Sequence, residues 1–239
     1  MIQQLQSESW IEQAEALHYL GEYRVEMAAT AVGALLESQT VHPWTRGQAL
    51  LSLSHIKGKV DPTEFGKWVA HEHPAIRSSA AEVLETYGGN SAVTWIKILL
   101  NDPDLSVRCH AAAAHAKRNK TSAWNVVDPL TLNPAISTAR ASARALAFTG
   151  TAEAHARLTT QISQPGLMRE SLRGIRNIED PQLIPILLNL LPSLEETHLN
   201  YGMILTALQN QEWKAVTSGL TAFIQSGNEQ KVKTGARLI

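Results

Sequence analysis

The sequence predicts an all-α protein, a right-handed α-solenoid of about seven helical hairpins. Prolines that follow a short polar break recur at a nearly constant interval, at Pro43, Pro74, Pro103, Pro134 and Pro165. Arginines early in the next segment recur at almost the same interval, at Arg46, Arg77, Arg108 and Arg140. Such a fixed period is typical of stacked helical units that share one continuous core.

Each part of the repeated unit has a physical cause. Proline is tolerated in the first turn of a helix, where its missing N–H would have no partner anyway. Asp102, Asp104 and Asn133 lie beside these prolines and can accept the unpaired amide hydrogens of the first turn. Alanines such as Ala111 and Ala112 follow the arginine, favour helix and allow two helices to approach closely. Each unit is therefore interpreted as a helix, a turn and a second helix.

The repeat divides the chain into a leading helix, 9–20, within an N-terminal cap, 1–22, and seven pairs of helices. The predicted pairs are 24–37 with 43–56, 61–71 with 74–87, 91–101 with 103–118, 122–132 with 134–148, 152–162 with 165–178, 181–191 with 194–210, and 213–225 with 230–239. Because no long linker separates them, we expect a single repeat domain over 1–239. The short last helix predicts an end that is truncated or packs against another molecule.

The repeated phrase is a turn proline, an arginine a few residues later and a helix of small residues, as in Pro103, Arg108 and Ala111. It resembles the HEAT-repeat family in its short bacterial form of about thirty residues, the repeat type of the phycobilin lyases. The resemblance covers about 24–239. It implies a superhelix in which the second helices line the concave face.

The resemblance also implies a ladder between repeats, built from a turn aspartate and a helix arginine. In this sequence Asp102 or Asp104 with Arg108 fits that pattern. The first two copies have His42 and His73 before the proline instead of an aspartate. The resemblance therefore predicts an incomplete ladder.

Composition limits the class of protein. The net charge is −1, so the chain as a whole shows no preference for nucleic acid. Its one cysteine, Cys109, excludes an internal disulfide and is interpreted as a small core residue. The N-terminus has no apolar signal core, and no apolar run has the length of a membrane span. We therefore expect a soluble, cytoplasmic protein.

The charge is unevenly distributed along the chain. Residues 1–104 contain 7 Lys and Arg against 13 Asp and Glu, a net charge of −6. Residues 105–176 contain 10 against 3, a net charge of +7. Residues 177–239 contain 4 against 6, a net charge of −2. The near-neutral total therefore conceals an acidic start and a basic middle.

The basic residues of the middle segment concentrate on predicted second helices. Arg46, Arg77 and Arg108 are assigned to structure, because they occupy the repeated position. The remaining arginines include pairs four residues apart, which share one helix face and repel each other unless an anionic partner lies against them. The candidate binding residues are Arg118, Arg140, Arg144, Arg169, Arg173 and Arg176.

These observations predict a non-enzymatic scaffold for protein–protein interaction, whose concave, basic middle section, about 105–176, binds an acidic protein or peptide. The alternative is a nucleic-acid-binding protein related to the HEAT-like alkylpurine DNA glycosylases, which use aromatic and acidic residues on a basic concave face. The corresponding residues here would be Asp128 and the tryptophans near turns or on first helices, Trp44, Trp68, Trp95 and Trp124. A further alternative is a phycobilin-lyase-like protein, although nothing in the sequence marks a bilin pocket. The sequence leaves the oligomeric state open.

The segment His71-Glu72-His73 is the one histidine cluster with an acidic residue. HEAT-like deoxyhypusine hydroxylases hold two irons with several His-Glu pairs from different repeats, whereas this chain has one pair. His110 and His115 are five residues apart, and metal-binding pairs on a helix prefer a spacing of four. We therefore predict no metal, no cofactor and no catalytic residue.

Overall fold

The computed structural model describes residues 1–58, 62–87, 89, 91–195 and 197–226, and within these ranges it contains helices and no strand. The predicted all-α class is confirmed. The chain divides into two compact units, Met1–Arg118 and Asn119–Ile239. In the described ranges no helix is both long enough and apolar enough to cross a lipid bilayer.

The first unit is built from a leading helix and three helical hairpins. Its helices are α1 (Trp10–Glu22), α2 (Ala29–Glu37), α3 (Pro43–Lys57), α4 (Pro62–Val69), α5 (Pro74–Val83), α6 (Ser91–Leu100) and α7 (Leu105–Asn119). Short 3-10 helices precede α1 and α2, at Ile2–Gln6 and Glu26–Ala28.

The second unit continues with the same kind of hairpin. Its described helices are α8 (Trp124–Leu130), α9 (Ile136–Thr149), α10 (Ala152–Ile162), α11 (Pro165–Ile175), α12 (Leu183–Leu190), α13 (Leu199–Gln209) and α14 (Trp213–Gln225). The predicted bounds of α10 and α14 are the observed ones. The predicted helix 230–239 lies outside the described residues.

Several predicted helix starts are wrong, and the largest difference is at the helix predicted from residue 194, which begins at Leu199. The helix predicted from residue 24 begins at Ala29, because Arg24 adopts the left-handed conformation (φ +49°) that ends α1. The amide of Val25 there donates to the carbonyl oxygen of Leu20 at 3.0 Å, a common way of closing a helix. The helix predicted from residue 134 begins at Ile136, because Ala135 is extended and no side chain caps the helix.

The first two helices of the second-helix layer lie side by side and run in the same direction. Thr45 Oγ1 of α3 donates to the carbonyl of Trp10 in α1 at 3.2 Å, and Ser52 Oγ donates to that of Leu17 at 2.6 Å. The two pairs have the same separation along the chain, so α1 and α3 are parallel. The leading helix α1 therefore occupies the place of a second helix at the start of this layer.

Among the described residues, one arginine–aspartate pair links neighbouring hairpins as the predicted ladder requires, but its partners are not the expected ones. The Asp102 carboxylate accepts two hydrogen bonds from Arg77 of the preceding hairpin, at Oδ2 from Nε (2.6 Å) and at Oδ1 from Nη2 (2.9 Å). Arg108 instead donates to the backbone carbonyls of Asp102 (2.6 Å) and Pro103 (2.9 Å). Arg77 and Arg108 thus each bind backbone carbonyls of the turn before their own helix. Arg77 also binds Asp102 in the turn of the next hairpin.

Histidine replaces aspartate as a helix cap where the sequence lacks the turn aspartate. His42 Nδ1 accepts the amide of Trp44 at 3.3 Å, and His73 Nδ1 accepts that of Ala75 at 3.2 Å. Asp104 does the same for α7 by accepting the amide of Ser106 at 2.8 Å. An imidazole nitrogen therefore provides the acceptor that an N-cap side chain normally supplies.

Candidate functional site

Helices α9 and α11 are neighbours in the second unit and carry four of the six predicted binding arginines, and a fifth, Arg176, directly follows α11. Helix α9 buries most of its small residues and leaves one stripe at least partly open, with members four residues apart: Ile136, Arg140, Arg144 and Phe148. The corresponding stripe of α11 and the turn after it contains Gly166, Arg169, Arg173 and Arg176. We call these two stripes together the α9–α11 surface.

A glycine sets the close approach of these two helices. A Cβ atom added to Gly174 in α11 would overlap the carbonyl oxygen of Arg140 in α9, and it would lie 3.3 Å from Arg144 Cγ. Because Gly174 has no side chain, its carbonyl oxygen accepts a hydrogen bond from Arg144 Nη1 at 3.1 Å. The Arg144 side chain therefore lies between α9 and α11, where it binds the backbone of α11.

The five arginines of this surface differ in their exposure to solvent and in their contacts within the protein. Arg140 and Arg176 are half-buried, and Arg144 also lies over the Phe148 ring, 5.5 Å from its centroid. Arg169 and Arg173 are exposed. Arg173 Nη1 lies 3.3 Å from Glu170 Oε1, one turn earlier on the same helix. Arg169 and Arg173 are therefore the residues best placed to meet a partner.

The sixth predicted residue, Arg118, belongs to the first unit. Its guanidinium donates to the carbonyl of Ala114 at 3.2 Å and to that of Tyr87, which follows α5. Burial lowers the pKa of Arg118, an effect that the charge of Glu85 partly offsets. Arg118 thus holds the segment after α5 against α7.

The α9–α11 surface is not uniformly basic. Ile136 is 64% exposed at the start of α9, and Leu199 is 57% exposed at the start of the neighbouring helix α13. Glu170 lies between Arg169 and Arg173. Sequence reasoning missed Ile136 and Leu199, although the spacing of four from Ile136 to Arg140 places the isoleucine on the stripe. The surface therefore combines cationic, apolar and acidic side chains.

Trp124 and Asp128, two of the residues considered for DNA glycosylase chemistry, both contact Arg157 of a neighbouring first helix. Asp128 of α8 forms an ion pair with Arg157 of α10. The Arg157 guanidinium also lies 5.0 Å from the centroid of the Trp124 ring. Trp124 and Asp128 therefore hold α8 and α10 together, on helices that do not carry the candidate arginines.

The histidine cluster before α5 is likewise part of the backbone structure. His71 Nδ1 accepts the amide of His73 at 3.0 Å, and His73 caps α5. Burial lowers the pKa of His71, and the nearby charge of Arg46 lowers it further. Among the described residues no three side chains of His, Cys, Asp or Glu converge as a metal site would require.

We expect the free energy of unfolding to fall as the pH decreases below 6.5, the ordinary histidine pKa. His71 and His115 have pKa values below 6.5 in the folded protein, in both cases mainly because of burial. The unfolded state then binds protons more readily, so stability is lost between 6.5 and the folded pKa values. His115 occupies the position of Leu84 and Leu146 in other repeats. We therefore expect that lowering the pH from neutral to mildly acidic reduces the free energy of unfolding of His115→Leu less than that of the wild type, as measured by urea unfolding at both pH values. An equal reduction would contradict the assignment of this pH dependence to His115.

The fold has a counterpart among solved structures. The chain is similar to a chain of the complex of CpcE and CpcF of phycocyanin lyase from Nostoc sp. PCC7120, with a TM-score of 0.54 and 19% sequence identity. The match covers 97% of this chain and 90% of that chain. It shows the fold, a HEAT-like α-solenoid of helical hairpins. No protein-family model matches the sequence. No curated protein matches it either.

Proposed function

We propose that the protein is a lyase-like helical-repeat subunit that works by binding another protein. The observation that carries this proposal is the match to the phycocyanin lyase complex over 97% of the chain. That structure is a complex of two components, CpcE and CpcF, so its fold is used in a protein assembly. The acidic-partner scaffold expected from the sequence and the lyase-like alternative share this core: both need a protein-binding surface.

The binding surface in this proposal is the α9–α11 surface. Exposed arginines attract acidic side chains, and Arg in particular forms paired hydrogen bonds with carboxylates. Ile136 adds exposed apolar area to this surface, and protein interfaces combine an apolar centre with a charged rim. The proposed partner is an acidic protein or peptide, and phycocyanin is the first one to test. A cytoplasmic location stays a prediction.

Bilin binding is a second candidate, favoured by the name of the matched complex. A bilin has a flat conjugated body and carboxylate side chains. The α9–α11 surface offers arginines for carboxylates and, for an apolar body, the half-buried Phe148 ring with Arg144 over one of its faces. A titration followed by bilin absorption would show a spectral shift that Phe148→Ala removes if this candidate is right.

Nucleic-acid binding has less support from the same surface. A groove for a phosphate backbone is expected to be a continuous basic track. Glu170 and Ile136 interrupt such a track, and Arg144 is already bonded to Gly174. Charge alone also makes binding to nucleic acid strongly dependent on salt, which provides a way to separate the two functions.

Arg169→Glu with Arg173→Glu should weaken binding to bilin-free phycocyanin subunits by at least about tenfold, because both reversals place carboxylates against an acidic partner. Fluorescence anisotropy of labelled subunits would measure the change. Both arginines are exposed, so the thermal midpoint should stay near that of the wild type.

The matched control is Lys97→Glu with Lys214→Glu, the same change in charge at exposed positions of α6 and α14. We expect this control to bind like the wild type. If both double variants lose affinity equally, net charge rather than the α9–α11 surface determines binding, and the assignment of the surface is wrong.

A further inference from the structure

The leading helix α1 has an open face that carries several exposed apolar side chains. It packs on α3, and its buried residues include Ala16, Leu17 and Leu20. The opposite face carries apolar side chains: Ile11 is 59% exposed, Tyr19 40%, and Tyr23, just after the helix, 69%. An exposed group of this kind is a feature of interaction sites.

The two tyrosines are already arranged relative to each other. The rings of Tyr19 and Tyr23 are stacked, with centroids 6.4 Å apart and an angle of 13° between their planes. The ring of His18 lies 5.5 Å from that of Tyr19. Because these rings contact one another in the free protein, less side-chain freedom is lost when a partner covers them. Tyrosine is also frequent among residues that dominate binding energy.

Glutamates surround this apolar group. Residues 1–28 contain five glutamates and one arginine, a net charge of −4. Glu15 and Glu22 lie on the same open face of α1 as Ile11 and Tyr19. Glu22 is held by His18, whose Nε2 lies 3.1 Å from its carboxylate. The local charge therefore favours a cationic partner and disfavours phosphates, whether of a nucleic acid or of an anionic lipid surface.

We propose that this α1 face, formed by Ile11, Glu15, Tyr19, Glu22 and Tyr23, binds a basic amphipathic helix of a partner protein. From Ile11 to Tyr23 the face is about 18 Å long at 1.5 Å per residue, the length of about three helical turns. Leucine-like residues of the bound helix contact Ile11 and the tyrosines, and its lysines or arginines pair with Glu15 and Glu22. This site is independent of the α9–α11 surface, because it lies in the other unit and carries the opposite charge.

The test uses the full chain and a fluorescein-labelled peptide long enough for about five helical turns, with leucines at helical spacing and lysines elsewhere. Anisotropy at about 0.15 M salt should show saturable binding to the wild type. Tyr19→Ser with Tyr23→Ser should weaken that binding about tenfold, because the apolar contacts are lost. Glu15→Lys with Glu22→Lys should weaken it at least as much, since it reverses the local charge.

Two comparisons make the test selective. Trp213→Ser removes an aromatic side chain that is 76% exposed in the second unit, and it should leave peptide binding unchanged. A peptide with glutamate in place of every lysine should not bind the wild type. The proposal is wrong if the tyrosine variant binds as the wild type does, or if the glutamate peptide binds as tightly as the lysine peptide.

Discussion

Asp102→Ala is expected to lower the free energy of unfolding by about 3 kcal/mol, because it leaves a largely buried guanidinium without its counter-charge. The side chains of Arg77 and Asp102 are only 13% and 6% exposed, and two hydrogen bonds join them. Arg77 keeps its bonds to the carbonyls of His71 (2.8 Å) and Glu72 (2.7 Å), which limits the loss. Urea unfolding at neutral pH would measure it.

The matched control is the exposed ion pair between the first helices α2 and α4. Lys67 Nζ lies 2.9 Å from Glu37 Oε1, but these side chains are 44% and 59% exposed. Glu37→Ala should therefore change the free energy of unfolding by less than about 1 kcal/mol. An equal effect of the two substitutions would show that the burial of Asp102 is not what makes its pair important.

The pKa of Asp102 predicts how the stabilisation by the Arg77–Asp102 pair depends on pH. Burial alone would raise the pKa of Asp102, but the hydrogen bonds from Arg77 and from the amide of Asp104 outweigh it and hold the pKa below 3.8. The pair therefore stabilises the fold at any pH above 3.8, and this contribution disappears as the pH falls through the folded pKa. The difference between the wild type and Asp102→Asn should persist in mildly acidic buffer, well above that pKa.

Gly174→Ala is expected to destabilise the protein by about 1–3 kcal/mol, opposite in sign to the usual effect of this substitution in a helix. The new methyl group would overlap the carbonyl oxygen of Arg140, a backbone atom that can move only if the whole helix moves. We expect α11 to shift from α9 and the hydrogen bond between Arg144 and Gly174 to be lost. Thermal unfolding would measure the loss of stability.

Gly202→Ala in α13 is the control for the same substitution in the same unit. A Cβ at Gly202 meets no atom within 4 Å, and the residue lies inside a helix. It should raise the free energy of unfolding by about 0.5–1 kcal/mol, since alanine restricts the unfolded chain and favours helix. If Gly174→Ala were also stabilising, this result would contradict the close approach of α11 to α9 at Gly174.

The repeat explains why the helical hairpins could be predicted from sequence. Proline, arginine and alanine at fixed intervals each have a local cause, and local causes can be inferred without tertiary structure. The partners of the ladder could not be inferred in the same way. Spacing brings Asp102 near both Arg77 and Arg108, and only the packing of neighbouring hairpins assigns its carboxylate to Arg77.

For the α9–α11 surface, the sequence likewise predicted which residues share a helix face but not which of them bind other parts of the protein. Helical spacing predicted that Arg140 and Arg144 share one face, as do Arg169 and Arg173. It did not distinguish the two pairs, yet Arg144 is bonded to Gly174 whereas Arg169 is exposed. That difference depends on how closely α11 approaches α9. The open face of α1 was missed for a related reason, because sequence alone did not show which side of the leading helix α3 would cover.

The central claim, a protein-binding function for the α9–α11 surface, is tested most directly by two parallel titrations. Labelled bilin-free phycocyanin subunits and a labelled DNA duplex would be titrated with the wild type and with Arg169→Glu/Arg173→Glu, at low salt and at about 0.15 M salt. We predict binding to the phycocyanin subunits that persists at the higher salt concentration and is weakened by the double substitution. Binding to DNA alone, steeply dependent on salt and lost in the same variant, would contradict this claim and make nucleic acid the partner of the α9–α11 surface.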